Sequence, residues 1–211
     1  MTADEATAAL DVGAEVAANA VAGGARLLVT GDMGIGNTTA SAALVAAFTG
    51  RSATDVTGRG TGIDDAMLVQ KRAVVERALE RLPRGASPLT IVSEVGGLEI
   101  AALAGFVVGA AASRVPVVVD GVIATAAAMV AVAFVPAAAG YLFAGHRSTE
   151  PGASVALDAL GLAPVLDLDM RLGEGSGAAL AIPVVQAAAK VLREMATFDS
   201  AGVSDKNVSG A

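Results

Sequence analysis

The stretch RLLVTGDMGIGNTT, residues 26–39, decides the fold. Arg26 to Thr30 is a short apolar run without alternation, which reads as a strand buried on both faces. Gly31 to Asn37 is a loop punctuated by three glycines, and a helix is expected from about Thr38 to Phe48. A strand that passes through a glycine-rich loop straight into a helix is the first half of a β-α-β unit. The spacing of Gly31, Gly36 and Thr38 is that of a phosphate loop, G-x-x-x-x-G-K-[ST], with Asn37 where the lysine would stand. Glycines let backbone N–H groups approach an anion, and the helix N-terminus adds partial positive charge. Without the lysine that neutralises a triphosphate, a monophosphate is the better ligand. The plainer alternative is a tight turn in which Asn37 or Thr38 caps the helix.

Outward from this stretch, strands and helices alternate. Thr2 and Glu5 form a capping box for a first helix whose apolar stripe is Ala6, Ala9, Leu10, Gly13, Val16, Ala17, Ala20 and Val21, ended by Gly23 and Gly24. After the loop TGRGTGID (57–64), a helix is expected over Asp65–Leu82. Its buried stripe is Leu68, Val75, Leu79 and Leu82, with Arg72 and Glu76 pairing on the wet face. Residues 87–97 suit helix and strand equally. Then follow a helix at Leu98–Ala112, a strand at Val115–Asp120, a helix to Phe134 and a strand at Tyr141–Ala144. A short helix opened by GHRSTEPG (145–152) ends near Gly161, a strand spans Ala163–Leu168, and the loop RLGEGSG (171–177) feeds a last helix to Met195. This order predicts an α/β fold: a doubly wound, mostly parallel sheet with helices on both faces. One domain is expected over 1–202, with a polar tail at 203–211. In such sheets ligands bind outside the carboxyl ends of the strands. The four most polar, glycine-rich loops each follow a strand, which places the site there.

Composition narrows the rest. Of 211 residues, 49 are Ala and 25 Gly; Trp is absent, and Phe and Tyr total six. Such a core relies on close backbone approach, because each side chain buries little area. A net charge of −7 gives a nucleic-acid backbone no electrostatic support. The absence of Cys excludes disulfides and a thiol nucleophile, and a single histidine, His146, excludes multi-histidine metal sites. Gly121 to Gly145 is an uncharged run of 25 residues, but Pro136 and Gly140 interrupt it, and it reads as a buried β-α-β stretch rather than a membrane span. The acidic start MTADEATAAL does not resemble a signal peptide.

Single residues carry the chemistry. Glu174 stands between glycines, so a flat ligand can reach its carboxylate. Partly desolvated there, it would have a raised pKa and serve as a general base; alternatively it decorates the first turn of a helix. His146, with Ser148, Thr149, Glu150 and Pro151, reads first as a helix start with a hydroxyl cap, the histidine being structural. Asp120 ends a strand as a metal-holding acid would, or caps the next helix. Asp64 and Asp65 look like an N-cap pair. Lys71 is either a solvated surface residue or a neutraliser of phosphate.

Taken together, GDMGIGNTT, GRGTGIDD, QKRAVVERAL, EVGGLEIAALAG, VPVVVDGVIATAAA, the His146/Ser148/Glu150-Pro151 cluster, LGEGSGAALA and EMATF resemble the nicotinate-nucleotide–dimethylbenzimidazole phosphoribosyltransferase family, over nearly the whole chain. The resemblance implies transfer of phosphoribose from nicotinate mononucleotide to 5,6-dimethylbenzimidazole, giving α-ribazole 5′-phosphate and nicotinate during cobalamin assembly. It implies Glu174 as catalytic base. Substrate contacts are expected at Asp32, Gly34, Gly36, Asn37, Thr38, Gly60, Lys71 and Ser148, with residues 1–202 as the Rossmann-like large domain. It implies no cofactor and no metal, a cytoplasmic homodimer, and neither nucleic acid nor membrane as partner. Asp32 stands where the family has Glu, and Ser176 where Thr is usual. Family members also carry an N-terminal portion that supplies much of the benzimidazole pocket, so the chain is expected to be a fragment or a short form. Two other classes stand beside this reading. One is a truncated, non-catalytic relative that binds a phosphorylated ligand or needs a partner chain. The other is a Walker-like nucleotide-binding protein, against which the missing lysine at position 37 counts.

Overall fold

The structure, a computed structural model, describes residues 1–203. The strands β1 (Leu28–Val29), β2 (Val117–Val119), β3 (Leu142–His146) and β4 (Pro164–Leu166) form one sheet in the order β1-β2-β3-β4, every pair parallel. Leu28 faces Val117, Val118 faces Phe143, and Ala144 faces Pro164. Pro164, which has no N–H to donate, is tolerated because β4 is an edge strand. The α/β class expected from the sequence is the one the chain adopts, and the sheet is wholly parallel over these strands. The strands are shorter than their apolar runs, except that β3 reaches two residues further, to His146. That histidine therefore ends a strand instead of opening a helix.

Helices fill the connections. Between β1 and β2 lie α2 (Asn37–Thr49), α3 (Ala53–Val56), α4 (Asp65–Glu80), α5 (Pro88–Val95) and α6 (Leu98–Ala112), preceded by α1 (Ala3–Ala22). α7 (Val122–Phe134) joins β2 to β3, α8 (Pro151–Leu160) joins β3 to β4, and α9 (Ser176–Glu194) follows β4. The ambiguous 87–97 stretch is α5. Ser87 caps it, its Oγ accepting the Thr90 N–H at 3.1 Å, and Pro88 takes the first helical position, where its missing N–H costs nothing. The uncharged run from Gly121 divides into α7, a 3-10 turn at Pro136–Tyr141 and β3. No helix among the described residues is long and apolar enough to cross a membrane.

The core depends on small residues. In α7 every residue from Ala124 to Ala131 is buried, and Val117, Val118 and Val119 are fully enclosed beside it. α1 keeps its capping box: Thr2 Oγ1 accepts the Glu5 N–H at 3.1 Å, and Glu5 accepts the Thr2 N–H at 2.8 Å. Its buried face is Ala6, Gly13 and Ala17, whereas Val16, expected in the stripe, is exposed. On α4 Leu68 and Val75 are buried and Leu79 only half so; the helix ends at Glu80, short of the expected Leu82, which is half-buried beyond it. No Arg72–Glu76 ion pair forms among the described residues; Arg72 turns inward, its Nε enclosed without a partner.

Helices α1 and α6 touch backbone to backbone. A Cβ on Gly105 would collide with the Leu10 carbonyl oxygen, and one on Gly13 with that of Ala102. Overpacking of this kind costs roughly 1–3 kcal/mol or more, so Gly105→Ala should lower the thermal midpoint by roughly 5–10 °C. Gly140→Ala, with nothing within 4 Å of the added carbon, should leave it in place. A thermal melt by circular dichroism reads both, and equal midpoints would contradict the close helix crossing.

The chain divides into two compact units, Met1–Ala181 and a second beginning at Ile182. The second holds the later turns of α9, with Val191, Leu192, Met195 and Phe198 exposed, and a turn in which Thr197 Oγ1 accepts the Ser200 N–H at 3.2 Å. The tail expected at 203–211 lies, beyond Val203, outside the described residues.

Candidate active site

The loops that follow the four strands meet over their carboxyl ends and, with the loop after α3, enclose a cleft of about 1000 Å³ within the first unit. Strand order does not reverse here, so the cleft is made by loop chemistry, with the glycine-rich loop of residues 31–36 as its first wall. Gly36, in the left-handed region at φ 85°, is the N-cap of α2, and no side chain caps the helix. Neither Asn37 nor Thr38 does so, contrary to the plainer sequence reading. Asn37 is drawn away instead, its Nδ2 donating to Asp32 Oδ1 at 2.6 Å. The first turn of α2 thus presents its backbone N–H groups and positive dipole end to the cleft.

The second wall is the loop Gly58–Ile63 with α4 behind it. Lys71 is half-buried rather than solvated: its Nζ donates to Thr38 Oγ1 at 2.8 Å and to the Gly58 carbonyl at 3.0 Å. Burial pushes its pKa below the ordinary lysine value, and the nearby negative charge of Glu150 offsets part of that. Glu150 also accepts the Gly60 N–H at 2.8 Å, and Arg171 donates to the Gly60 carbonyl at 2.9 Å. Arg59 pairs with Asp65 and donates to the Ile63 carbonyl at 2.9 Å. Of the expected cap pair only Asp64 caps α4, its Oδ1 accepting the Met67 N–H at 2.8 Å.

Ser148 and Glu150, beyond β3, form the third wall. Ser148 is 7% exposed and does not cap α8; its Oγ accepts the Glu150 N–H at 3.4 Å, while Glu150 stands at the N-cap position and Pro151 opens the helix. The fourth wall is Arg171–Glu174. Glu174 lies before α9, not in its first turn, and has φ 58° between two glycines at φ 78°. Its N–H donates to the Asp32 carbonyl at 3.2 Å, which ties the fourth wall to the first. The side chain is exposed, not partly desolvated as expected, because it stands at the tip of this turn.

Asp120 fits neither sequence reading. It does not cap α7, whose N-cap is Gly121 with no side-chain bond. Its carboxylate reaches across to α9 and accepts N–H groups from Gly175, Gly177 and Ala178. Burial raises its pKa, but the adjacent His146 ring and the N–H donors of Ala178 and Gly175 outweigh this and hold it below the ordinary carboxylate value.

Every residue expected in the site therefore borders one cleft: Asp32, Gly34, Gly36, Asn37 and Thr38 on one side, Gly60 and Lys71 on the next, Ser148 and Glu174 opposite. Sequence reasoning missed Arg59, Arg171 and Glu150. Their signal was charge inside or beside glycine-rich loops, which a plain structural turn does not require. It also missed the apolar rim of Met33, Ile35 and Leu172, which are 84%, 90% and 69% exposed. The cleft thus combines an anion receptor, a carboxylate and an apolar surface that suits a flat ring.

Residues 1–203 match the model of a protein family described as phosphoribosyltransferase. The chain belongs to this phosphoribosyltransferase family. It is 58% identical over 207 residues to the nicotinate-nucleotide–dimethylbenzimidazole phosphoribosyltransferase of Salinispora tropica, covering 98% of this chain and 57% of that protein. With the enzyme of the same name from Chloroflexus aggregans the identity is 57%, covering 98% and 59%. The crystal structure of CobT from Thermus thermophilus superposes with a TM-score of 0.93 at 52% identity, over 97% of this chain and 61% of that one. The chain spans less than two thirds of the length of these relatives. The matched residues, 1–203, include all four walls of the cleft.

Proposed function

We propose that the chain transfers phosphoribose from nicotinate mononucleotide to 5,6-dimethylbenzimidazole, releasing nicotinate and forming α-ribazole 5′-phosphate for cobalamin biosynthesis, with residues 1–202 as the large domain. The observation that carries this reading is the meeting of an uncapped helix N-terminus, Lys71 and Glu174 around one cleft. The 5′-phosphate sits at the start of α2, on the backbone of Gly34, Gly36, Asn37 and Thr38, with Lys71 supplying the positive charge that the loop lacks. Asp32, Gly60 and Ser148 shape the ribose end. A benzimidazole nitrogen lone pair attacks C1′ as the C1′–N bond to nicotinate breaks. That bond's electron pair neutralises the pyridinium nitrogen, so nicotinate leaves without a proton. The attacking ring becomes cationic, and Glu174 takes its N–H proton. Attack opposite to the leaving group inverts the anomeric centre through an oxocarbenium-like state.

The exposure of Glu174 favours a second reading, in which further chain must cover the cleft before turnover, so that this chain alone binds the phosphorylated ligand. Pairing into a homodimer belongs to the main proposal and is supported by Val12 and Val16, exposed on α1. A cytoplasmic setting is part of the same proposal, and the cysteine-free chain needs no oxidising compartment in order to fold. Chromatography of the chain incubated with nicotinate mononucleotide and dimethylbenzimidazole is expected to show nicotinate and α-ribazole phosphate in equal amounts. Nucleotide binding without products would favour the second reading, and neither binding nor products would overturn both.

A further inference from the structure

We infer that Asp120 is a positioning residue for Glu174: its buried carboxylate grips the turn Gly173–Ser176 from below and fixes the direction in which Glu174 enters the cleft, with His146 as the wall behind it. The inference rests on the reading of Glu174 as the base. Glu174 is held at φ 58° between two left-handed glycines, a backbone state that a residue with a side chain keeps only when its surroundings over-determine it. Bonds within the turn are few: Ser176 donates to the Gly173 carbonyl through Oγ at 2.7 Å and through its N–H at 3.0 Å.

From outside the turn, the Asp32 carbonyl accepts the Glu174 N–H at 3.2 Å, and the remaining restraint comes from Asp120. Its Oδ2 accepts the Gly175 N–H at 2.9 Å, and that N–H belongs to the peptide joining Gly175 to Glu174. Its Oδ1 accepts the N–H groups of Gly177 at 2.9 Å and Ala178 at 3.1 Å, which occupy the first turn of α9. One carboxylate therefore clamps both the start of a helix and the peptide beside the base. The clamp is rigid at its root. Asp120 is 2% exposed, follows the enclosed strand β2, and donates its own N–H to Thr30 Oγ1 at 3.4 Å. His146, also 2% exposed, places Nε2 at 3.3 Å from Oδ1. Its ring lies against Gly177, where any Cβ would collide with Cδ2. Among the described residues neither ring nitrogen makes a hydrogen bond, so the ring serves this corner by shape and by proximity to the carboxylate. Asp120 does not border the cleft, which separates its role from that of a group touching substrate.

Asp120→Asn tests this on the full chain. An amide offers one oxygen, so in either orientation its NH2 faces a backbone N–H and one arm of the clamp is lost. Amide exchange by NMR is expected to quicken roughly tenfold or more at Gly175 or Gly177, with the amides of α6 and α7 unchanged. In the unaltered chain the Gly175 amide, though on an open turn, is expected to exchange as slowly as those of Gly177 and Ala178. Gly175 exchanging at the free-peptide rate there would overturn the inference, whether or not the variant folds. So would a variant whose exchange is unchanged, or quickens equally everywhere.

Kinetics provide the second arm. Turnover is expected to fall roughly tenfold or more, with KM for nicotinate mononucleotide within about twofold, because the phosphate end is built on α2. On a Glu174→Gln background the same substitution should cost nothing further. Loss of turnover in Glu174→Gln with normal turnover in Asp120→Asn overturns the positioning role alone. Normal turnover in Glu174→Gln overturns the reading of the base, and this inference with it.

Discussion

Glu174→Gln is expected to lower the rate of α-ribazole phosphate formation by roughly 10²- to 10⁴-fold, the range that a positioned proton acceptor contributes. Glutamine keeps the length, the planar head and the hydrogen-bonding oxygen of glutamate but cannot take a proton at neutral pH. It also tolerates the same backbone, because the strain at φ 58° is common to any residue with a Cβ. The side chain is exposed at the tip of its turn, so the substitution should leave the thermal midpoint within about two degrees, as for an ordinary surface change of under roughly 0.5 kcal/mol. Binding of nicotinate mononucleotide should also survive, since the phosphate end is made by α2 and Lys71 on other walls. The decisive pattern is lost turnover with unchanged melting and unchanged nucleotide affinity. A variant that turns over at the parent rate would remove the proton from the role of Glu174 and leave the ring to deprotonate to water.

What was legible in the sequence was local. The run into GDMGIGN specified strand, turn and helix because apolar runs and glycines act within a few residues of themselves. Ser87-Pro88 was equally local, a cap followed by a first-turn proline, yet the mixed apolar pattern around it hid α5 until packing chose the helix. The cap of α2 was not legible: Asn37 is a good capping residue, but Asp32 competes for its amide and wins at 2.6 Å. Lys71 was only half legible. Its spacing from Leu68 and Val75 places it beside the buried stripe of α4, but its partners Thr38 and Gly58 lie on other elements. Asp120 was illegible in kind. Any strand-end aspartate can cap the helix that follows, and only the sheet brings it to a turn 55 residues away. The site was thus readable wherever a loop carries its own chemistry. It was unreadable wherever one loop holds another.

Lys71→Met should weaken the binding of nicotinate mononucleotide or inorganic phosphate by roughly 10- to 100-fold, the value of one charge-assisted hydrogen bond. Methionine preserves most of the aliphatic stem in a half-buried position, so packing is largely kept and what disappears is the ammonium. Two partners then lose a donor: Thr38 Oγ1, which can turn to solvent, and the Gly58 carbonyl. Part of the loss is accordingly a looser loop, and Lys71→Arg, which keeps the charge but not the compact head, should recover only part of the affinity. The pH dependence gives an independent check with a fixed sign. Burial lowers the Lys71 pKa, and Glu150 restores only part of it. The ammonium is present below that pKa and lost as pH rises through it, so phosphate affinity should decline in the alkaline range earlier than an ordinary lysine would titrate. Calorimetric titration with phosphate at rising pH would show that decline in the parent and none in Lys71→Met. If both chains lose affinity along the same curve, a different group carries the charge at the start of α2, and the exposed Arg59 and Arg171 on the same rim are the residues to change next.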